Sequence, residues 1–158
     1  MRPARTTIRR RALLGALLAV PVLARPAFAQ SRHDPASQEP TDMRIRFTFA
    51  DRSLDAVLTD NPTARDLVTL LPLELTIEDY STNEKIVRLP RNLSEEASGP
   101  FGNEAAGDLC YYAPWGNLAL FHAGYRYSRS LIRLGRFEAG YDALLTRGEF
   151  PVSVERAG

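Results

Sequence analysis

From Met43 onward the chain alternates. Ile45, Phe47 and Phe49 are separated by Arg44, Arg46 and Thr48, and Leu73, Leu75 and Ile77 by Glu74, Thr76 and Glu78. Successive side chains of an extended strand point to opposite faces, so a period of two predicts strands with one buried and one wetted face. Shorter apolar runs follow the same rule at Leu54 to Leu58, Ile86 to Leu89, Leu109 to Ala113, Leu118 to His122 and Leu131 to Phe137, with Val152 and Val154 marking a last short strand that pairs back near the N-terminus. The breaks between runs carry turn chemistry: Asp51-Arg52-Ser53 makes residues 44–58 a hairpin, Tyr80 to Lys85 is polar, Pro90 stops a strand, and Pro114-Trp115-Gly116-Asn117 is a tight turn. Two short helices interrupt the pattern. Asn61-Pro62 opens the first, with Asn61 as N-cap and Pro62 at the first helical position; Ala64, Leu67, Val68 and Leu71 share one face, and Pro72 ends it. Glu138 to Thr146 is the second, stopped by Gly148. Residues 91–108, with three glycines and three glutamates, read as a long loop. Seven or eight strands with two short helices describe a mainly β, antiparallel or mixed barrel or sandwich, not a doubly wound sheet.

The N-terminus is of a different kind. Arg2, Arg5, Arg9, Arg10 and Arg11 precede an apolar stretch from Ala12 to Ala24, too short for a membrane-spanning helix of about 20 residues. Ala27-Phe28-Ala29 then supplies a small-x-small cleavage pattern, so residues 1–29 read as a signal peptide cut after Ala29. No cysteine follows the apolar stretch, which leaves no lipoprotein anchor. Arg10-Arg11-Ala12-Leu13-Leu14 also resembles the twin-arginine export motif, and the route, folded or unfolded, stays open. Residues 30–42 contain Pro35 and Pro40 and no large apolar side chain, so they read as a disordered linker, and 43–158 as the globular domain. The expected location is the periplasm or the exterior, with no membrane attachment after signal removal.

Removing the signal reverses the charge. The whole chain has 20 Lys+Arg and 19 Asp+Glu, and residues 1–29 hold six arginines and no acid, so the mature chain carries 14 basic and 19 acidic side chains, a net of −5. Such a surface repels phosphate backbones and argues against a nucleic-acid partner. Cys110 is the sole cysteine, so no intramolecular disulfide exists and the core alone must hold one domain. Its apolar and aromatic neighbours read it as a buried, inert thiol. The expected form is a monomer.

Four segments together resemble the small bacterial cyclophilin-like fold family, a set of largely uncharacterised proteins. They are Asp60 to Asp66 with Leu71-Pro72-Leu73; Glu84-Lys85-Ile86 with Leu89-Pro90; Gly107-Asp108-Leu109-Cys110-Tyr111-Tyr112-Ala113-Pro114-Trp115-Gly116-Asn117; and Leu131 to Gly135. The resemblance covers about residues 43–157 and implies a closed eight-stranded barrel with helices capping its ends. It does not imply activity. Prolyl isomerases of this fold use an arginine in a Phe-His-Arg segment, whereas Phe121-His122 here is followed by Ala123-Gly124.

The candidate chemistry centres on Tyr111 to Asn117. Adjacent tyrosines on a strand face opposite ways, and Pro114 and Gly116 can hold Trp115 at a barrel mouth, with Asn117 as a two-way hydrogen-bonding group. The simpler account of the same run is a β-turn whose Trp115 plugs the barrel end. His122 is the domain's only histidine and has no sequence-adjacent nucleophile or acid, so no catalytic set is assigned. No paired His or Cys spacing suggests a metal, and no cofactor is expected. Arg126, Arg129, Arg133 and Arg136 form a basic stripe that either grips an anion or is a solvated strand face. Asp79 and Glu84 are a candidate carboxylate pair of unfixed distance. The resulting expectation is a non-catalytic binding module for a small molecule or peptide, its site lined by Tyr112, Trp115, Asn117, His122 and Arg88; the alternative is a divergent peptidyl-prolyl isomerase acting on exported proteins.

Overall fold

The computed structural model describes residues 37–158. The signal peptide expected over 1–29, its cleavage after Ala29 and most of the expected linker lie outside the described residues.

Eight strands run β1 Pro40–Phe49, β2 Arg52–Thr59, β3 Leu73–Tyr80, β4 Glu84–Arg88, β5 Asp108–Tyr112, β6 Asn117–Phe121, β7 Leu131–Phe137 and β8 Phe150–Ala157. They close into an antiparallel barrel in the order β1-β2-β7-β5-β6-β4-β3-β8. Closure leaves no sheet edge exposed. β8 seals it, with Val154 opposite both Phe47 of β1 and Leu73 of β3. β1 begins at Pro40, inside the stretch expected to be a linker: Thr41 Oγ1 donates to the Leu58 carbonyl at 2.9 Å, so polar composition alone did not keep the segment off the sheet.

The one α-helix among the described residues, α1 Pro62–Leu70, starts where its cap predicts: Asn61 Oδ1 accepts from the Ala64 N–H at 2.9 Å. Buried Asn61 also donates to the Arg133 carbonyl at 3.1 Å, which ties the helix start to β7. The second expected helix is a 3-10 turn, Tyr141–Leu145, that buries Ala143 and Leu144. A second 3-10 turn, Ala113–Trp115, closed by Gly116 in the left-handed region (φ +62°), joins β5 to β6.

The long loop has no regular structure of its own, yet its first part is fastened to α1. Arg91 makes two hydrogen bonds to Asp66, at 2.7 and 3.0 Å, and the Ser94 N–H donates to the same carboxylate at 2.8 Å. The Arg91 guanidinium holds the Asp66 carboxyl down at about 2, against the opposing effect of burial. The Tyr111 hydroxyl accepts from the Leu93 N–H at 3.1 Å, and Leu93 and Ala97 of the loop join the core cluster.

Alternation sorts the strands into two apolar sets. Ile45, Phe47, Leu109, Tyr111, Leu118, Leu120, Ile132 and Leu134 fill the barrel. Their neighbours Cys110, Ala119, Phe121 and Leu131 form a separate cluster on the outer wall, joined by Phe101, Tyr112 and Tyr125. An outer face that stays apolar is where this barrel departs from a simple in-out pattern.

Candidate functional site

That outer wall carries a cavity of about 340 Å³. Register explains how five strands build it. Tyr80, Glu84 and Phe121 lie side by side across β3, β4 and β6. Ile86 and Ala119 form the next row, across β4 and β6. Asn117, Tyr112 and Leu131 form a third, across β6, β5 and β7. All of these residues line the cavity, together with Trp115, Asn83, Tyr125, Arg126 and Ser128.

The walls are aromatic. Trp115 stands edge-on to Tyr80, with centroids 5.3 Å apart and planes at 89°, and edge-on to Tyr112 at 5.5 Å and 83°. Tyr125 stacks on Phe121 at 3.7 Å with planes 7° apart. Trp115 is 49 % exposed, a large apolar surface left open at the cavity's rim. Tyr125 is fixed from behind. Its hydroxyl donates to Asp108 Oδ2 at 2.6 Å, and burial pushes its pKa up, so it stays a donor.

Two polar groups of the cavity stand apart from the rest. Asn117 is 2 % exposed; its Nδ2 donates to the Leu118 carbonyl at 3.0 Å, while its Oδ1 is buried without a hydrogen bond among the described residues. A buried carbonyl oxygen left unpaired costs about 1–3 kcal/mol, which a ligand donor would recover. Glu84 is the second: burial alone pushes its carboxyl up to about 7, and no ion pair to it occurs among the described residues.

Tyr112, Trp115 and Asn117 thus meet in one place, but on the outside of the barrel and not at its mouth. Trp115 does not plug the barrel end. His122 does not line the cavity: it sits one residue past the end of β6, near the charges of Arg147, Asp79 and Lys85. Burial and the Arg147 charge lower its pKa, opposed by Asp79. Neither ring nitrogen has a hydrogen-bond partner among the described residues. Arg88 shares the outer face but leans across to Glu78 at 3.3 Å, lining a separate depression with Glu74, Leu75, Thr76 and Glu149. Asp79 and Glu84 do not form a carboxylate pair: Asp79 is opposite Lys85, whose ammonium it binds at 2.8 Å, while Glu84 faces outward opposite Tyr80.

The basic stripe resolves differently at its two ends. Arg133 and Arg136 converge on the fully buried Asp108 at 2.9 and 2.5 Å, so they serve the fold and not an anion. Arg126 is exposed at the cavity. Burial pushes the Cys110 thiol up to about 12, which makes it a poor nucleophile. No group of three or more metal-ligating side chains occurs among the described residues.

The sequence pattern does not bring Tyr80, Glu84, Phe121 or Tyr125 to the site; Glu84 stands out in it only as a candidate partner of Asp79. The signal for the first two was the short turn at 81–83, which sets Tyr80 directly opposite Glu84.

Comparison with known proteins agrees with the architecture. The model of the cyclophilin-like family matches residues 47–155. The solution structure of the hypothetical protein AF2241 from Archaeoglobus fulgidus superposes with a TM-score of 0.58 at 20 % identity, covering 76 % of this chain and 98 % of that one. No curated protein matches the chain. At that identity the structural likeness carries the fold alone.

Proposed function

Because the chain belongs to the cyclophilin-like family, whose fold does not fix an activity, we propose that it is a non-catalytic binding module whose ligand occupies the aromatic cup on the outer wall of the barrel. The observation that carries this reading is Asn117. A buried side-chain oxygen with no hydrogen-bond partner among the described residues, on the floor of a cavity walled by Tyr80, Tyr112, Trp115 and Tyr125, is a recognition group waiting for a donor. The ligand is a small molecule or a short peptide segment, since about 340 Å³ accommodates little more. The module acts as a monomer in the periplasm or outside the cell, in keeping with the signal read over residues 1–29.

Trp115 is the only tryptophan of the chain, so its fluorescence reports directly on the cup. Screening a library of metabolites and short peptides should yield saturable changes in Trp115 emission that Asn117→Ala weakens at least tenfold. A protease-coupled proline-peptide assay should show no rate above background. Acceleration well above background would instead make the protein a prolyl isomerase. N-terminal sequencing of the native protein should begin at Gln30; an intact Met1 would refute export by cleavage.

A further inference from the structure

Resting on that reading of the cup, we propose that the group it takes is an organic cation, an alkylated ammonium head enclosed by Tyr80, Trp115 and Tyr112 beside the carboxylate of Glu84. Tyr80 and Tyr112 each stand within 7° of perpendicular to Trp115, with centroids 5.3 and 5.5 Å away, so both tyrosines pack edge-on against the tryptophan at one corner of the cavity. Aromatic faces carry negative quadrupole charge and attract cations, most strongly when the cation is poorly hydrated, as an alkylated ammonium is. A neutral apolar ligand would need such rings only as area and would have no use for a carboxylate among them.

Glu84 supplies the charge. It sits directly opposite Tyr80 on one side and Phe121 on the other, and lines the same cavity. The other acidic side chains that meet the barrel's outer surface here are already matched: Glu78 to Arg88 and Asp108 to Arg133 and Arg136. Glu84 alone in this set has no cation, and its burial leaves it near the midpoint of its titration at neutral pH. A cation entering the cup would draw it into the ionised form. Asn117 Oδ1, which has no hydrogen-bond partner among the described residues, is an acceptor for a hydroxyl or N–H carried elsewhere on the ligand; one N–H of its amide is used on the Leu118 carbonyl. Arg126, exposed at the rim, is the opposing charge, and solvent screens it.

The test compares choline with 3,3-dimethyl-1-butanol, which has the same shape without the charge, by Trp115 fluorescence and calorimetry on the purified protein at pH 8. Choline should bind at least about tenfold more tightly, and Glu84→Gln should remove most of that difference. At pH 6 the calorimetric heat should vary with the ionisation enthalpy of the buffer, since binding expels the Glu84 proton. A pentapeptide containing trimethyl-lysine, run beside choline, separates a protein side chain from a free small cation as the source of the head group. Equal binding of the neutral isostere would overturn the cation inference while leaving the cup as a binding site. Binding of neither compound would overturn it as well; a neutral or anionic library hit displaced by Asn117→Ala would then keep the binding reading alone. Because the isostere comparison uses the unaltered protein, it does not depend on any variant folding.

Discussion

Lys85 Nζ lies 2.8 Å from Asp79 Oδ1, with the Lys85 side chain wholly buried and that of Asp79 18 % exposed. The ammonium also donates to the Gly148 carbonyl at 3.2 Å, and Asp79 Oδ2 accepts from the Gly148 N–H at 2.7 Å, so the pair clamps the 3-10 segment's exit to the β3–β4 hairpin. The two partners are not equivalent. Asp79→Ala strands a buried ammonium and should cost about 3–5 kcal/mol. Lys85→Met keeps most of the volume, removes the buried charge and leaves Asp79 partly hydrated, and should cost about 1 kcal/mol or less. Denaturant midpoints of the two variants measure the difference; a larger loss in Lys85→Met would contradict it.

Asp108 is a second buried anion, and here the effect reaches the cup. Its oxygens accept from Arg133, Arg136, the Tyr125 hydroxyl and the Ala105 N–H. Asp108→Asn leaves Arg133, 6 % exposed at its side chain, facing a neutral partner and should cost about 3 kcal/mol. Arg136→Ala removes a guanidinium that is 48 % exposed and should cost less than about 1 kcal/mol. Asp108→Asn should also loosen Tyr125 and weaken any Trp115-reported binding, which Arg136→Ala should not. Equilibrium unfolding and titration of both variants check this.

Glu84 makes stability depend on pH in a defined direction. Burial raises its folded-state value from the ordinary 4.5 to about 7. The unfolded chain therefore gives up its proton first as pH rises, the native state holds more protons between the two values, and stability falls across that window. The loss is complete above about 7 and amounts to about 2 kcal/mol once partial solvent screening is allowed for. Glu84→Gln should flatten this part of the curve and make the protein more stable than wild type at pH 8. Guanidinium unfolding at pH 5 and pH 8 decides it; parallel curves for the two proteins would show that Glu84 is not desolvated.

At Gly135, β7 lies tight against the backbone of β2. A Cβ there would lie 2.1 Å from the Val57 carbonyl oxygen and 2.9 Å from Leu58 Cα, both backbone atoms that cannot step aside. Gly135→Ala should therefore cost more than about 3 kcal/mol or prevent folding. Gly102→Ala, with open space around it, should change the midpoint by less than about 0.5 kcal/mol. Thermal melts of the pair provide the comparison.

The alternation of Ile45, Phe47 and Phe49, the Asn61 cap and the Gly-Pro punctuation of 114–116 made the barrel legible, because strands, caps and turns are local. The cup was only half legible. Tyr112, Trp115 and Asn117 are close in sequence and could be read together, but Tyr80 and Glu84 join them only through the pairing of β4 with β6, which sequence does not display. His122 sits one residue past the end of β6, where strand alternation no longer says which way a side chain faces, and it does not line the cup. Lys85, in a stretch that reads as a polar turn, is buried because the turn is confined to residues 81–83 and its register puts Asp79 opposite. The 3-10 turn at 141–145 lacks the length and caps that make a helix legible.

The outer cup of Tyr80, Tyr112, Trp115 and Asn117 is proposed to hold a ligand. The most direct measurement is a high-resolution crystal structure of the protein purified from its native compartment without refolding. Density is expected between Trp115 and Glu84, with a donor within about 3 Å of Asn117 Oδ1. A cup closed by its own side chains, with Asn117 Oδ1 satisfied from within the chain, would contradict it.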